Sequence, residues 1–171
     1  VREKDGLWAV LLWLNVLAVR KESVVDILNA HWRDFGRDYY TRHDYEALDK
    51  PVAEALIADL RTALPGLAGT AIDGLTVTEA DDFSYTDPVD GSTARGQGVR
   101  LYFDGGERAV LRLSGTGTVG ATLRVYLERY IEDPTKHALD PQAALTTLIE
   151  VVDSMAGIAE RTGRSSPDVI T

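Results

Sequence analysis

The run VRLYFDGGERAVLRL at 99–113 places the strongest constraint on the fold. Two segments, 99–103 and 109–113, alternate apolar and polar residues, and Asp104-Gly105-Gly106 lies between them. Aspartate followed by glycines supplies the positive-φ turn that joins neighbouring antiparallel strands. A chain with such a local hairpin builds an antiparallel sheet around it. GLTVTEA at 74–80 alternates in the same way and adds a strand, and TDPVDGSTARGQG at 86–98 reads as a long turn-rich loop.

Elsewhere the apolar residues recur with helical spacing. Residues 2–20 carry Trp8, Leu11, Leu12, Leu14, Val16 and Leu17, apolar on most faces, which predicts a helix buried on several sides. Ser23 and Asp26 mark a capping-box-like start for a second helix, ending near Gly36. The polar, aromatic segment 37–50 reads as a connection. Asp49 and Pro51 open a third helix that places Val52, Leu56, Ile57 and Leu60 on one face and stops at Pro65-Gly66. Val119, Leu123, Leu127 and Ile131, spaced by four, predict a helix over 119–132. Asp140-Pro141 starts a long helix running to about Thr162 and capped by Gly163. From 47 onward the order of helix, strands and two helices predicts an α+β unit, an antiparallel sheet covered by helices. The domains expected are 1–46, two helices left from an α/β domain, and 47–171.

Composition narrows the function. A formal net charge of −9 opposes general nucleic-acid binding, so any anion site has to be local. Cysteine is absent, which removes disulfides and thiolate metal sites and fits a reducing compartment. The apolar run at 7–19 is too short to span a bilayer, and a cytoplasmic protein without membrane contact is expected. His31, His43 and His137 are scattered without ligand spacing, so no metal is assigned to this chain.

The chemistry-bearing stretch is RLSGTGTVGATLR, from Arg112 to Arg124. Gly115, Gly117 and Gly120 spell G-x-G-x-x-G, but a dinucleotide site needs a crossover helix returning to a parallel strand, and no such strand follows. The Walker pattern is absent as well. Glycines that permit close backbone approach, a helix start with unpaired N–H groups, hydroxyls at Ser114, Thr116 and Thr118, and an arginine at each end suit a phosphate instead. A charge-assisted contact of this kind contributes roughly 1.5–3 kcal/mol. A turn that uses glycine only for its dihedral angles is the plainer alternative.

RLSGTGTVGATLRVYLERY resembles the phosphate-binding loop in the last domain of the phosphoglucomutases, members of the α-D-phosphohexomutase superfamily. VREKDGLWAVLLWLNVLA, DILNAHWRDFGRDYYTRHDYE, FSYTDPVDGS and ERTGRSSPDVIT resemble further family segments in the same order. The resemblance implies a TATA-box-binding-protein-like last domain over 47–171, and interconversion of glucose 1-phosphate and glucose 6-phosphate through a phosphoserine and a bisphosphate intermediate. By position it assigns Arg112, Ser114, Gly115, Thr116 and Arg124 to the substrate phosphate and Lys4 to the transferring phosphoryl group as acid/base or charge stabiliser. It also points to Arg42, Asp87 and Asp90, for which turn or surface roles are the plainer reading. Magnesium and glucose 1,6-bisphosphate are implied for the full-length enzyme, with the phosphoserine, metal and sugar loops upstream of Val1. The 171-residue chain alone is then expected to be inactive. Its expected partners are a sugar phosphate and the upstream domains, with a hinge near 42–48 closing the cleft. A non-catalytic phosphosugar-binding or structural homologue is the alternative.

Overall fold

A computed structural model describes residues 5–114 and 120–171. The chain divides into two compact units, one formed by residues up to 37 with 131–138, the other by 38–130 with 139–171.

In the first unit, helix α1 (Gly6–Arg20) begins where the Asp5 carboxylate accepts the Trp8 amide, and ends at Lys21 in the left-handed conformation. No residue of α1 is buried, so the expectation of a helix enclosed on several sides is not met within this chain. Helix α2 (Val24–Phe35) is capped by the Ser23 hydroxyl, which accepts from the Asp26 amide, and it ends at Gly36. The Arg37 guanidinium lies 4.0 Å from the Trp32 ring centroid and donates to the His137 carbonyl, beside a single 3-10 turn at Pro134–Lys136.

The second unit is built on an antiparallel sheet with helices on one face. Its strands are β1 (Arg37–Leu48), β2 (Ala71–Ile72), β3 (Leu75–Asp82), β6 (Val99–Phe103), β7 (Arg108–Ser114), β8 (Ala121–Ile131) and β9 (Val169–Ile170). Among the described residues they stand in the order β2-β3-β6-β7-β8-β1-β9. A small ribbon of β4 (Tyr85–Thr86) and β5 (Thr93–Ala94) rises from the long loop between β3 and β6. Helix α3 (Lys50–Leu67) starts at the Asp49 cap and buries Ala53, Leu56, Ile57 and Leu60, the i, i+3, i+4, i+7 stripe of an amphipathic helix, against β3, β6 and β7. Leu56, Ile57 and Leu60 each gain about 1.5–3 kcal/mol on burial. Helix α4 (Pro141–Ala156) buries Leu145, Leu148, Val151 and Val152.

The hairpin expected at Asp104-Gly105-Gly106 joins β6 to β7, with Leu101 opposite Ala109 and Val99 opposite Leu111. Asp104 fastens that turn to β3, its carboxylate accepting the Thr76 amide and its own amide donating to the Thr76 carbonyl.

Four expectations are corrected. Residues 121–131 form strand β8, not a helix, and its residues Thr122 to Glu128 pair with β7. Leu123, Val125 and Leu127 alternate in burial, and a spacing of four is a multiple of the strand period as well as roughly one helical turn. Residues 37–48 form strand β1 rather than a connection, so the hinge expected near 42–48 falls within a strand flanked by β8 and β9. The long helix after Asp140 is broken at Gly157, in the left-handed conformation, into α4 and the short α5 (Ile158–Thr162). Helix α3 runs through Pro65 to Leu67 instead of stopping there.

Gly120 has φ +71, and a Cβ there would lie 2.7 Å from the Leu48 carbonyl oxygen and 2.9 Å from the Ala47 carbonyl carbon. Gly120→Ala is expected to cost at least about 1–3 kcal/mol through the left-handed backbone alone, read as a lower urea midpoint. Hydrogen bonds from Thr76 hold the Asp104 carboxyl below its usual pKa. Its contribution to stability is therefore present above the unfolded-state value of about 4 and is lost as pH falls through the lower folded value. Asp104→Asn is expected to flatten that part of the acid-unfolding profile measured by circular dichroism between about pH 4 and 2.

Candidate anion site on the open face of the sheet

Strand alternation assigns each side chain its face. On β7 and β8 the residues Ala109, Leu111, Leu123, Val125 and Leu127 are buried toward the helices, so Arg108, Val110, Arg112, Arg124, Tyr126 and Glu128 project from the opposite face. On β1 the buried Tyr39, Thr41, His43 and Tyr45 alternate with Tyr40, Arg42 and Asp44. The inner set of β1 is unusually polar, and its groups are paired. His43 Nε2 donates to Gln142 Oε1 at 2.8 Å, Gln142 Nε2 donates to the Thr41 hydroxyl at 2.8 Å, and that hydroxyl donates to the Thr171 carbonyl at 3.1 Å.

The open face carries a cavity of about 910 Å³, walled on one side by Phe83, Tyr85 and Gln97 of the excursion between β3 and β6. Arg42, Arg100, Arg108 and Arg112 all line it. Three of the four are matched by carboxylates: Arg100 by Asp81, Arg108 by Glu128 and Arg42 by Asp44. Arg100 is also stacked 4.4 Å from the Phe83 ring centroid, and its pKa is raised, first by its hydrogen bonds to Asp81. Arg112 is exposed and has no ion pair among the described residues.

Arg112 stands directly opposite Arg124 in the β7–β8 ladder. Side chains in that relation have Cβ atoms about 4.5–5.5 Å apart, and like charges so placed are unfavourable. One carboxylate stands beside Arg124 among the described residues. Asp44 is 2% exposed; its Oδ1 accepts from Arg42 Nε at 2.9 Å and its Oδ2 faces Arg124 Nε at 3.6 Å. Arg42 and Arg124 share that carboxylate, and Arg112 has none among the described residues, so positive charge is locally in excess at this end of the ladder.

The structure brings Arg112, Ser114 and Arg124 to one end of the β7–β8 pair. Ser114 is half-buried and pairs with Thr122. Lys4, Gly115, Thr116 and Thr118 lie outside the described residues. Strands β7 and β8, on either side of 115–119, are antiparallel neighbours, and a strand stands at 121–131 where the sequence predicts a helix. Positive potential at the site therefore comes from arginine side chains, not from a helix end. Asp87 and Asp90 serve their own turn: their carboxylates accept the Val89 amide at 2.7 Å and the Ser92 amide at 2.8 Å. Asp44 was not singled out by the sequence; the one signal was its alternation with Arg42 in a segment read as a connection.

Residues 132–140 contain a 3-10 turn and no strand, and no crossover helix follows β7, so a dinucleotide-binding unit is excluded. No three His, Asp or Glu side chains converge among the described residues, and no described helix is long and apolar enough to cross a membrane.

The opposed arginines predict a specific trade. Arg112→Gln is expected to leave thermal stability unchanged or raise it by about 0.2–1 kcal/mol in anion-free, low-salt buffer, with the gain shrinking as salt screens the pair. A stability loss above about 1 kcal/mol in calorimetry would show that Arg112 is held by the fold rather than by a ligand.

Residues 37–168 match the family model for the C-terminal domain of phosphoglucomutase-1. The chain is 57% identical over its whole length to a phosphoglucomutase of Rhizobium radiobacter and 49% identical to phosphoglucomutase-1 of Homo sapiens, and it spans 32% of each of those proteins. In structure it superposes with a TM-score of 0.85 on the open form of parafusin, a phosphoglucomutase from Paramecium, at 40% identity, covering all of this chain and 30% of that one. The chain therefore belongs to the phosphoglucomutase family, whose C-terminal domain it matches.

Proposed function

We propose that the end of the β7–β8 pair is a phosphate clamp, and that in the full-length protein it serves interconversion of glucose 1-phosphate and glucose 6-phosphate. The observation that carries the clamp is the Arg112–Arg124 opposition beside the glycine connection. A fold that keeps two guanidinium groups face to face across a ladder gains from an anion between them. Arginine meets phosphate oxygens with a planar fork of donors, and Ser114, two residues beyond Arg112 on the same strand, adds a hydroxyl.

In the mutase reaction the phosphoryl group passes from an enzyme phosphoserine to the sugar monophosphate, and the bisphosphate returns a phosphoryl group from its other end. The clamp grips the phosphate that is not being transferred, and it does so in both orientations of the sugar. Arg112 and Arg124 supply its charge, with Ser114, Gly115 and Thr116 as neutral donors. Lys4 is assigned to the transferring group. The phosphoserine and the magnesium site belong to parts of the full-length protein outside this chain; the metal would neutralise charge on the transferring phosphoryl group there, while this chain's residues bind, orient and exclude water from the sugar phosphate. The 171-residue chain alone is inactive in this reading, and its partners are the sugar phosphate and the upstream domains.

Titration with glucose 6-phosphate, followed through the backbone amides of 112–124, tests the clamp. Wild-type chain is expected to show saturable shifts that Arg112→Ala abolishes, and Arg112→Lys is expected to bind roughly tenfold more weakly although the charge is kept, because one prong of the fork is lost. Equal affinity of wild type and Arg112→Lys removes the bidentate argument. Absence of mutase activity in the full-length protein, with sugar-phosphate binding intact, would favour a non-catalytic phosphosugar-binding homologue.

A further inference from the structure

We infer that Asp44 is the positioning residue of the clamp, a single buried carboxylate that, paired on one side with Arg42, turns the Arg124 guanidinium so that its donor-rich end faces the ligand. The inference rests on the phosphate reading of the Arg112–Arg124 pair.

The argument begins with the shape of the guanidinium. Its Nε edge and its two-nitrogen end are distinct faces of one rigid plane, so a partner on the Nε edge leaves the terminal nitrogens free for a second partner. Asp44 meets both of its arginines on the Nε edge. Oδ1 accepts from Arg42 Nε at 2.9 Å, and Oδ2 faces Arg124 Nε at 3.6 Å, within ion-pair range but longer than a hydrogen bond. Arg124 Nε is buried and has no hydrogen-bond partner among the described residues. A buried donor left in that condition is costly, and a carboxylate already within ion-pair range of it needs only a small side-chain movement to pair with it. Anion capture by the terminal nitrogens of Arg124 and closure of the Nε edge onto Asp44 are thus two halves of one movement.

The backbone of Asp44 is correspondingly anchored. Asp44 pairs with Val169 and its carbonyl accepts the Asp168 amide at 2.9 Å, while the Asp168 side chain takes the Glu46 amide at 2.8 Å. Arg164 closes the arrangement by donating to the Glu46 carbonyl and to the Asp168 carboxylate. These bonds hold the part of β1 that carries Asp44, so the carboxylate has a fixed position from which to orient Arg124.

A double-mutant cycle on the 171-residue chain tests the role, with glucose 6-phosphate and inorganic phosphate as probes in calorimetric titrations. Asp44→Asn keeps the shape and removes the charge. It is expected to weaken both probes about tenfold in the wild-type background and to have no further effect in the Arg124→Gln background, because its influence runs through Arg124. A merely structural role would instead lower the melting temperature and weaken binding by the same factor in both backgrounds. Unchanged affinity in Asp44→Asn, or equal losses in the two backgrounds, overturns the inference while the clamp stands, provided Arg112→Ala still abolishes binding. If the wild-type chain binds neither probe, the clamp itself falls and Asp44 loses its role with it. Should Asp44→Asn fail to fold, the Arg124 Nε–H resonance of the wild-type chain decides. Its exchange with water is expected to slow severalfold on saturation with inorganic phosphate, and exchange at the rate of an unpaired arginine throughout would refute the coupling.

Discussion

The antiparallel register of β7 with β8 is the constraint on which the candidate site depends, because it sets Arg112 against Arg124. A slip of one residue along either strand would turn every side chain of that strand to the other face, sending its arginine among Leu111, Leu123 and Val125. The apolar face under the helices therefore enforces the placement of charge on the open face. Stability and site geometry are two readings of the same alternation.

Electrostatics on the open face follow a consistent plan. Arg100, Arg108 and Arg42 each meet a carboxylate, and Arg124 shares one with Arg42. Arg112 is exposed and lines the cavity without an ion pair among the described residues. A chain with a net charge of −9 can thus present a local cationic spot without a basic surface around it. A long polyanion would meet mostly negative or neutralised surface there.

Strands β3, β6 and β7 were legible, and the exceptions have physical causes. The β6–β7 hairpin announced itself through Asp104-Gly105-Gly106, and α3 and α4 through an aspartate cap with a proline in the first turn. Strand β8 was misread because Leu123, Leu127 and Ile131 fall four apart, a spacing that leaves residues on one face in a strand and near one another on a helix. Strand β1 was hidden for a different reason. Its inward residues are Tyr39, Thr41, His43 and Tyr45, polar or amphipathic groups that no hydropathy pattern marks as core. They are admitted there because partners such as Gln142 and Thr171, far along the chain, complete their hydrogen bonds. Arg112 and Arg124, which the ladder sets opposite one another, flank the glycine segment in the sequence. Asp44 was not legible, since its meaning comes from a side chain on β8 that only the folded sheet brings within reach.

The two outermost strands, β2 and β9, are each two residues long. An unpaired strand edge is a template on which another chain can add, and a sheet with one uncovered face is doubly exposed to such growth. Here β9 pairs with His43 and Asp44 of the twelve-residue β1, and β2 with Leu75 and Thr76 of the eight-residue β3, so each margin is stepped. A stepped border interrupts the straight row of unpaired groups that an added strand would need, and so restrains growth of the sheet by β-pairing.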